Sequence, residues 1–273
     1  MSMTQAEKAA SFLALHRRRT PLLMPNPWDI GSAKLLVGLG FQALATTSGG
    51  FAASRGRLDG DITRAEAIAH ATELAGAVDV PVSADLEDCF AADPAGVAAT
   101  VELAVQAGLS GCSVEDFTRD MGDPIYDRGL AAERVAAAVE VAHRGPVHLV
   151  LSARCENLIR GRDDLGDTIE RLQSYEAAGA DVLFAPGLRS LDDIRRVVES
   201  VGAPVNVLVG AGSPSVAELA DAGVGRVSVG SSFAWAAIGG LVGAASELLE
   251  EGTYGYSAGA AAGRAAVMET FKP

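Results

Sequence analysis

Lysine is nearly absent from this 273-residue chain, occurring only as Lys8, Lys34 and Lys272. Lys8 and Lys272 lie in the terminal segments and Lys34 falls in a helical pattern, so none is placed at a strand end to form a Schiff base. Imine chemistry is therefore not expected. Histidine is scarce too: His148 stands near the start of a strand, and His16, His70 and His143 fall in helical stretches. That leaves no obvious histidine general base or metal ligand. The cysteines, Cys89, Cys112 and Cys155, are odd in number and lack CxxC spacing, which suggests neither a disulfide framework nor a zinc knuckle. No window approaches an unbroken apolar run of about 18–20 residues, and residues 1–19 lack a signal peptide's apolar centre and cleavage site. A cytoplasmic protein with no membrane partner is expected. Positive charge is short as well: the net charge is -13, the pI is about 4.7, and no basic stripe appears. Nucleic acid is therefore not an expected partner.

What the chain does have is apolar residues, 49% of the total, enough to bury one large core. Strand-length apolar runs recur at 22–24, 43–46, 80–84, 111–114, 147–152, 181–184, 205–209 and 226–229. Helical patterns lie between them, with start signals at Asp29, Thr63, Ser190 and Ser215. Three helices close on Ala-Gly, at Gly108, Gly179 and Gly223, where glycine turns the chain into the next strand. Alternation of this kind, with near-continuous apolar strands, predicts a parallel sheet closed on itself. The expected fold is α/β, a (β/α)₈ TIM barrel with an N-terminal helix over 5–17 and extra C-terminal helices. One domain spans 1–273, with 233–273 as a helical extension in which Ser257 caps the last helix. An open doubly wound sheet is disfavoured, because no GxGxxG follows the first strand.

The chemistry is expected where strand three runs into Asp85-Leu86-Glu87-Asp88. If the strand continues, Asp85 and Glu87 share a face, and two carboxylates side by side call for a cation. Hard oxygen ligands suit Mg²⁺ or Mn²⁺. A solvated acidic turn, or an arginine bridge, is the alternative. Other strand ends add Glu115 and Asp116, then Arg154 and Glu156, and the loop after strand two holds Asp59 and Asp61. Thr46-Thr47-Ser48-Gly49-Gly50 offers backbone N–H groups and the Ser48 hydroxyl to a ligand carboxylate, or is simply a tight turn. Arg154 can bind a carboxylate through two parallel hydrogen bonds, or pair structurally with Glu115 or Glu156.

From Asn26-Pro27-Trp28-Asp29 to about Ser231 the chain resembles the isocitrate lyase and phosphoenolpyruvate mutase superfamily. The resemblance implies Asp85, Glu87, Glu115 and Asp59 around Mg²⁺, and Ser48, Gly49, Gly50, Arg154 and Asn206 around the substrate. Asp59, Arg154 and Glu115 are the implied catalytic residues. It also implies a 2-oxo or 2-hydroxy acid passing through an enolate-like state, with no organic cofactor. The chain departs from the family in its reaction-specific loops. Residues 117–124, Phe-Thr-Arg-Asp-Met-Gly-Asp-Pro, contain neither the cysteine of the carbon–carbon lyases nor the lysine and asparagine of the mutases and phosphonate hydrolases. Strand six ends without the mutase histidine, and Cys89-Phe90-Ala91 replaces Gly-Tyr/Phe-Gly.

The expected activity is that of a Mg²⁺-dependent lyase or decarboxylase acting on a small 2-oxo or 2-hydroxy (di)carboxylate. Carbon–phosphorus chemistry is an alternative, and so is a barrel that binds a metabolite without turning it over. The turns Gly210–Ser213 and Gly230–Ser232 lie where many barrels hold phosphate, although they also read as helix-capping turns. Residues 117–127 are expected to form a lid. Surplus apolar helical surface after residue 233 predicts a homo-oligomer, a dimer or tetramer. Cys89 and Cys155 are expected to be protonated beside so many carboxylates.

Overall fold

A computed structural model describes residues 3–17 and 20–272. Its strands are β1 (Leu22–Met24), β2 (Leu44–Ala45), β3 (Val82–Ala84), β4 (Gly111–Glu115), β5 (Val150–Arg154), β6 (Val182–Phe184), β7 (Val205–Leu208) and β8 (Arg226–Ser228). All pairings are parallel and follow chain order from β2 to β8, with β8 returning to β1. The seam between β1 and β2 is drawn together by backbone and by one side chain. Ala45 N–H donates to Pro25 O at 3.1 Å. Asn26 donates to Thr46 O at 3.0 Å and accepts from the N–H groups of Val229 and Gly230 at 3.2 and 2.9 Å. The outcome is the expected (β/α)₈ barrel, nearly closed.

The helices are α1 (Gln5–Leu15), α2 (Ile30–Gly38), α3 (Ser48–Ser54), α4 (Arg64–Ala77), α5 (Pro94–Gln106), α6 (Arg128–Ala142), α7 (Leu165–Ala177), α8 (Leu191–Ser200), α9 (Val216–Asp221), α10 (Ser232–Glu250) and α11 (Ser257–Thr270). Four start where the sequence signals them, because a side-chain oxygen satisfies an otherwise orphaned N–H of the first turn. Asp29, Thr63, Ser190 and Ser215 accept from Ser32, Glu66, Asp193 and Glu218 at 2.6, 3.3, 3.1 and 3.3 Å. Ser257 does not cap α11. It is the first helical residue, and Tyr256 before it makes no side-chain cap bond.

Helix α1 plugs the base of the barrel. Phe12 and Leu15 bury themselves against Leu22, Ala43, Val150 and Val182. Glycine at 111 makes room for the plug, since a β-carbon there would stand 2.8 Å from Phe12 and 2.7 Å from Val150 O. With the base closed by hydrocarbon, the strands' C-terminal ends are the open mouth.

Several expectations need correction. The fifth strand starts at Val150 and runs on through Arg154, because His148 is drawn aside to Asp181 at 2.8 Å. The third strand stops at Ala84, and Glu87 has a left-handed φ of 52°, so strand alternation does not place Asp85 and Glu87 on one face. Ser48 to Gly50 form the first turn of α3, capped by Thr47. Helix α10 is long and apolar enough to cross a membrane by length and composition, although serine and glycine interrupt it so that no unbroken apolar run marks it. Along it Trp235, Leu241 and Leu249 are exposed, as is Met268 on α11.

Candidate active site

The mouth is built on the loop that follows β3. Thr46 Oγ1 accepts from Asp85 N–H at 2.8 Å, tying the ends of β2 and β3 together. Ser48 N–H, at the start of α3, donates to Asp85 Oδ2 at 3.1 Å. That donor is therefore turned to a chain carboxylate. The glycines beside it are sterically required: a β-carbon on Gly49 would stand 2.8 Å from Ser231 Oγ, and one on Gly50 would stand 2.6 Å from Thr47 Cγ2. Beyond Asp85 the chain turns sharply, with Glu87, Cys89 and Phe90 all left-handed at φ 52°, 60° and 55°. Strain in non-glycine residues concentrates at functional sites and persists only where the surroundings impose it. Arg134 is the imposing group here. Buried on α6, it donates to the carbonyls of Asp88, Ala91 and Glu115 at 2.7, 3.0 and 2.9 Å, holding the loop against the end of β4.

The electrostatics of the mouth are under-compensated. Burial, with Asp85 adding repulsion, pushes the Glu87 carboxyl up to about 7. Glu115 is raised well above the carboxylate range, again chiefly by burial. Arg154, opposite Glu115 in the β4–β5 register, places Nε 3.3 Å from Glu115 Oε2 and also pairs with Glu156. Burial opposes its charge, but Glu115 and Glu156 outweigh that and raise its pKa. Glu156 has a second partner in Arg160 at 3.0 Å, so Glu115 is the carboxylate left with a shared cation. The structural pairing foreseen for Arg154 is thus present, made through Nε. Asp116 faces away from the mouth, accepting from Tyr175 Oη at 2.6 Å and Glu156 N–H at 2.8 Å.

A divalent metal fits this donor set in one respect and not in another. Asp85 and Glu87 are half-buried hard oxygen donors with excess negative charge, and Mg²⁺ commonly takes one or two carboxylates and keeps several waters. Asp59, Asp85, Glu87 and Glu115 share the mouth but do not form one tight shell. Asp59 is exposed, packed against Gly49. Among the described residues, the one set of three candidate ligands within 4.8 Å of one another is His143, His148 and Asp181, at the base. The sequence reading did not bring these three residues together. Spacing of His143, His148 and Asp181 across a helix end and two strand starts gave no signal of it.

Residues 117–127 fold as a small hairpin, with Phe117 bridging Ile125 and Thr118 N–H donating to Pro124 O at 2.9 Å. From it Arg119 reaches over the mouth, 2.9 Å from both Glu87 Oε2 and Asp88 Oδ1. Cys89 and Cys155 are fully buried, and burial pushes both thiols up. Asn206 lies inside the barrel with Nδ2 on Ser228 Oγ at 2.9 Å.

A family model described as phosphoenolpyruvate phosphomutase matches residues 12–249. This chain belongs to that family. The match bears out the resemblance seen in its motifs, within a superfamily that holds both lyases and phosphonomutases. A crystal structure of a provisionally named lyase/mutase from Burkholderia cenocepacia J2315 is 48% identical, with a TM-score of 0.95 over 98% of this chain and 97% of that one. An uncharacterised protein of Mycobacterium tuberculosis (strain H37Rv) is 34% identical over 81% of this chain and 82% of its own length. The structure of 2,3-dimethylmalate lyase, a PEP mutase/isocitrate lyase superfamily member, is 27% identical, with a TM-score of 0.82 over 93% of this chain and 90% of that one. Against this phosphomutase-family background, sequence reasoning missed Arg134, and it named Asn26 without seeing that the residue closes the seam between β1 and β2. The partners of both lie far along the chain, so local pattern carries no trace of these contacts.

Proposed function

We propose that the chain is a Mg²⁺-dependent lyase or decarboxylase acting on a small 2-oxo or 2-hydroxy (di)carboxylic acid through an enolate-like state. The observation that carries this is the under-compensated pair of half-buried Glu87 and buried Glu115 beside Asp85 at the mouth of a phosphomutase-family barrel. Asp85 and Glu87 would hold the metal, with Glu115 and Asp59 in support. When bound, Mg²⁺ supplies Lewis-acid polarisation of the ligand's 2-oxygen, a role worth several kcal/mol in metal enzymes. Arg154, steadied through Nε by Glu115 and Glu156, turns its terminal nitrogens to the C1 carboxylate. Glu115, raised by burial, is suited to hold a proton near the developing charge. The hairpin over 117–127 excludes water when closed.

The test is turnover of oxaloacetate and a panel of 2-alkylmalates, with and without EDTA and with borohydride. Full activity after the metal is stripped, or substrate-dependent inactivation by borohydride, would rule this out. Phosphonopyruvate belongs in the panel, because the matching family model is described as a phosphomutase. Turnover of phosphonopyruvate alone would move the assignment to carbon–phosphorus chemistry. The exposed apolar faces of α10 and α11 support a homo-oligomer. A monomer in light scattering at micromolar concentration would refute that part.

A further inference from the structure

Branched apolar side chains ordinarily fill the interior layers of a barrel of this kind. Beneath the mouth of this one the lining is mixed: Ser152, Asn206, Ser228 and Arg226 stand beside Met24, Phe184 and Leu208. These residues line a cavity of about 60 Å³ that also touches Thr46 and Asp85, so it leads from the mouth down into the bore. Arg226 is 3% exposed. It donates to Ser152 Oγ at 2.9 Å, and its Nε meets no acceptor. Among the described residues no carboxylate pairs with it, and burial alone lowers its pKa, to about 9, so it stays charged at neutral pH. Asn206, on the same wall, leaves Oδ1 without a partner. His16 lies on the base side of the guanidinium. Burial and the Arg226 charge push it down to about 3, which makes it neutral and no source of compensation.

A buried guanidinium without a counter-charge is strongly unfavourable unless something pairs with it. A planar fork of N–H donors is matched by a carboxylate. We propose that the bore is an anion pocket in which Arg226 receives the distal carboxylate of a ligand whose 2-oxo or 2-hydroxy acid end lies at Asp85. This rests on the reading of the mouth as the Mg²⁺ site. A cavity of about 60 Å³ is larger than the roughly 10–15 Å³ that seats one water, so it has room for a carboxylate. Arg226 is then a specificity residue that selects for a second negative charge, with Asn206 and the serines as its polar wall.

The experiment measures binding to the full chain in saturating Mg²⁺, by calorimetry, for oxalate, malate and malamate, in which the distal carboxylate is an amide. Wild type should bind malate at least about tenfold more tightly than malamate, the scale of one hydrogen-bonded charge. Arg226→Gln should weaken malate by roughly 10- to 100-fold while leaving oxalate and malamate within about twofold, and Arg226→Lys should recover part of the loss. Equal wild-type affinities for malate and malamate would overturn the pocket while leaving the mouth reading intact. Oxalate failing to bind while malate still exceeds malamate would sink the mouth reading and keep the pocket. If Arg226→Gln does not fold, the wild-type comparison decides. A folded Arg226→Gln that loses oxalate and malate alike also overturns the proposal.

Discussion

The two ends of the barrel each gather carboxylates and treat them in opposite ways. At the base, Asp181 accepts from His143 and His148 at 2.9 and 2.8 Å and from Leu151 N–H at 2.8 Å. Burial works against its charge, but these donors hold its pKa below the usual value. At the mouth, Glu87 and Glu115 are comparably buried, yet burial and neighbouring carboxylates raise them. One end is complete within its own chain and the other is not. A fold has no reason of stability to leave charge uncompensated, so the difference supports the proposed cation site at the mouth, while the base is where the barrel is tied shut.

The largest expected effect breaks the comparison at its acidic end. Asp85→Ala should reduce Mg²⁺ affinity by roughly 100-fold or more, since even outer partners of a metal site are worth 10- to 100-fold. The matching change at the base, Asp181→Asn, should leave Mg²⁺ affinity at the mouth unchanged. Calorimetric titration of both variants checks this. Equal Mg²⁺ affinity in wild type and Asp85→Ala would place the site elsewhere.

The next effect is on stability, and its sign should invert between the two ends. Asp181 has a lowered folded pKa, so its contribution is present above its unfolded value and lost as pH falls through the folded one. Asp181→Asn should therefore cost about 2–3 kcal/mol near neutrality, the scale of hydrogen bonds to a charged group, with the deficit fading in acid. Glu87, raised from 4.5 to about 7, behaves in reverse: stability is fully present below the unfolded value and is lost as pH rises through about 7. In EDTA, Glu87→Gln should be more stable than wild type at pH 8 by about 1–3 kcal/mol and indistinguishable at pH 4. Urea denaturation across that range decides. Destabilisation by Glu87→Gln at pH 8 would mean that the mouth is already compensated.

The barrel was legible because its signals are local. Apolar runs mark the strands, and a single residue, Asp29, Thr63, Ser190 or Ser215, marks a helix start. Asp85, Glu87, Glu115 and Arg154 were legible as a group because strand ends in a barrel meet at one face. Their roles relative to one another were not. Whether Glu87 follows strand alternation depends on a left-handed backbone held by Arg134, 47 residues onward in the sequence numbering, through Asp88 and Ala91. The small helix α3 was hidden by Gly49 and Gly50, poor helix formers retained because Ser231, Thr47, Ala234 and Trp28 leave no room for a side chain. Arg226 reads in sequence as an ordinary charge opening a strand. Only closure of the barrel reveals that it lines a bore in which no acid among the described residues meets it.

The smallest effect concerns the one chain cation that reaches the mouth from the hairpin. Arg119 lies 2.9 Å from Glu87 Oε2 and from Asp88 Oδ1, and at 34% side-chain exposure solvent screens it. Such a pair is worth about 0.2–1 kcal/mol. Because it neutralises Glu87 at the position where Mg²⁺ would, the two cations compete, and Arg119→Ala should tighten Mg²⁺ binding by about two- to fivefold. The gain should depend on pH with a definite sign. Arg119 lowers the Glu87 pKa, so removing it raises a carboxyl already near 7 and gives protons a stronger hold on the same oxygens. At pH 8 the carboxylate is ionised in both proteins and the full gain appears. At pH 6 protonation of Glu87 offsets it. Titration of Mg²⁺ at the two pH values reads the difference directly. A loss of affinity at pH 8 would show instead that Arg119 holds Glu87 and Asp88 in place for the metal, and the mouth would then owe part of its arrangement to the hairpin, as the base owes its own to His143 and His148.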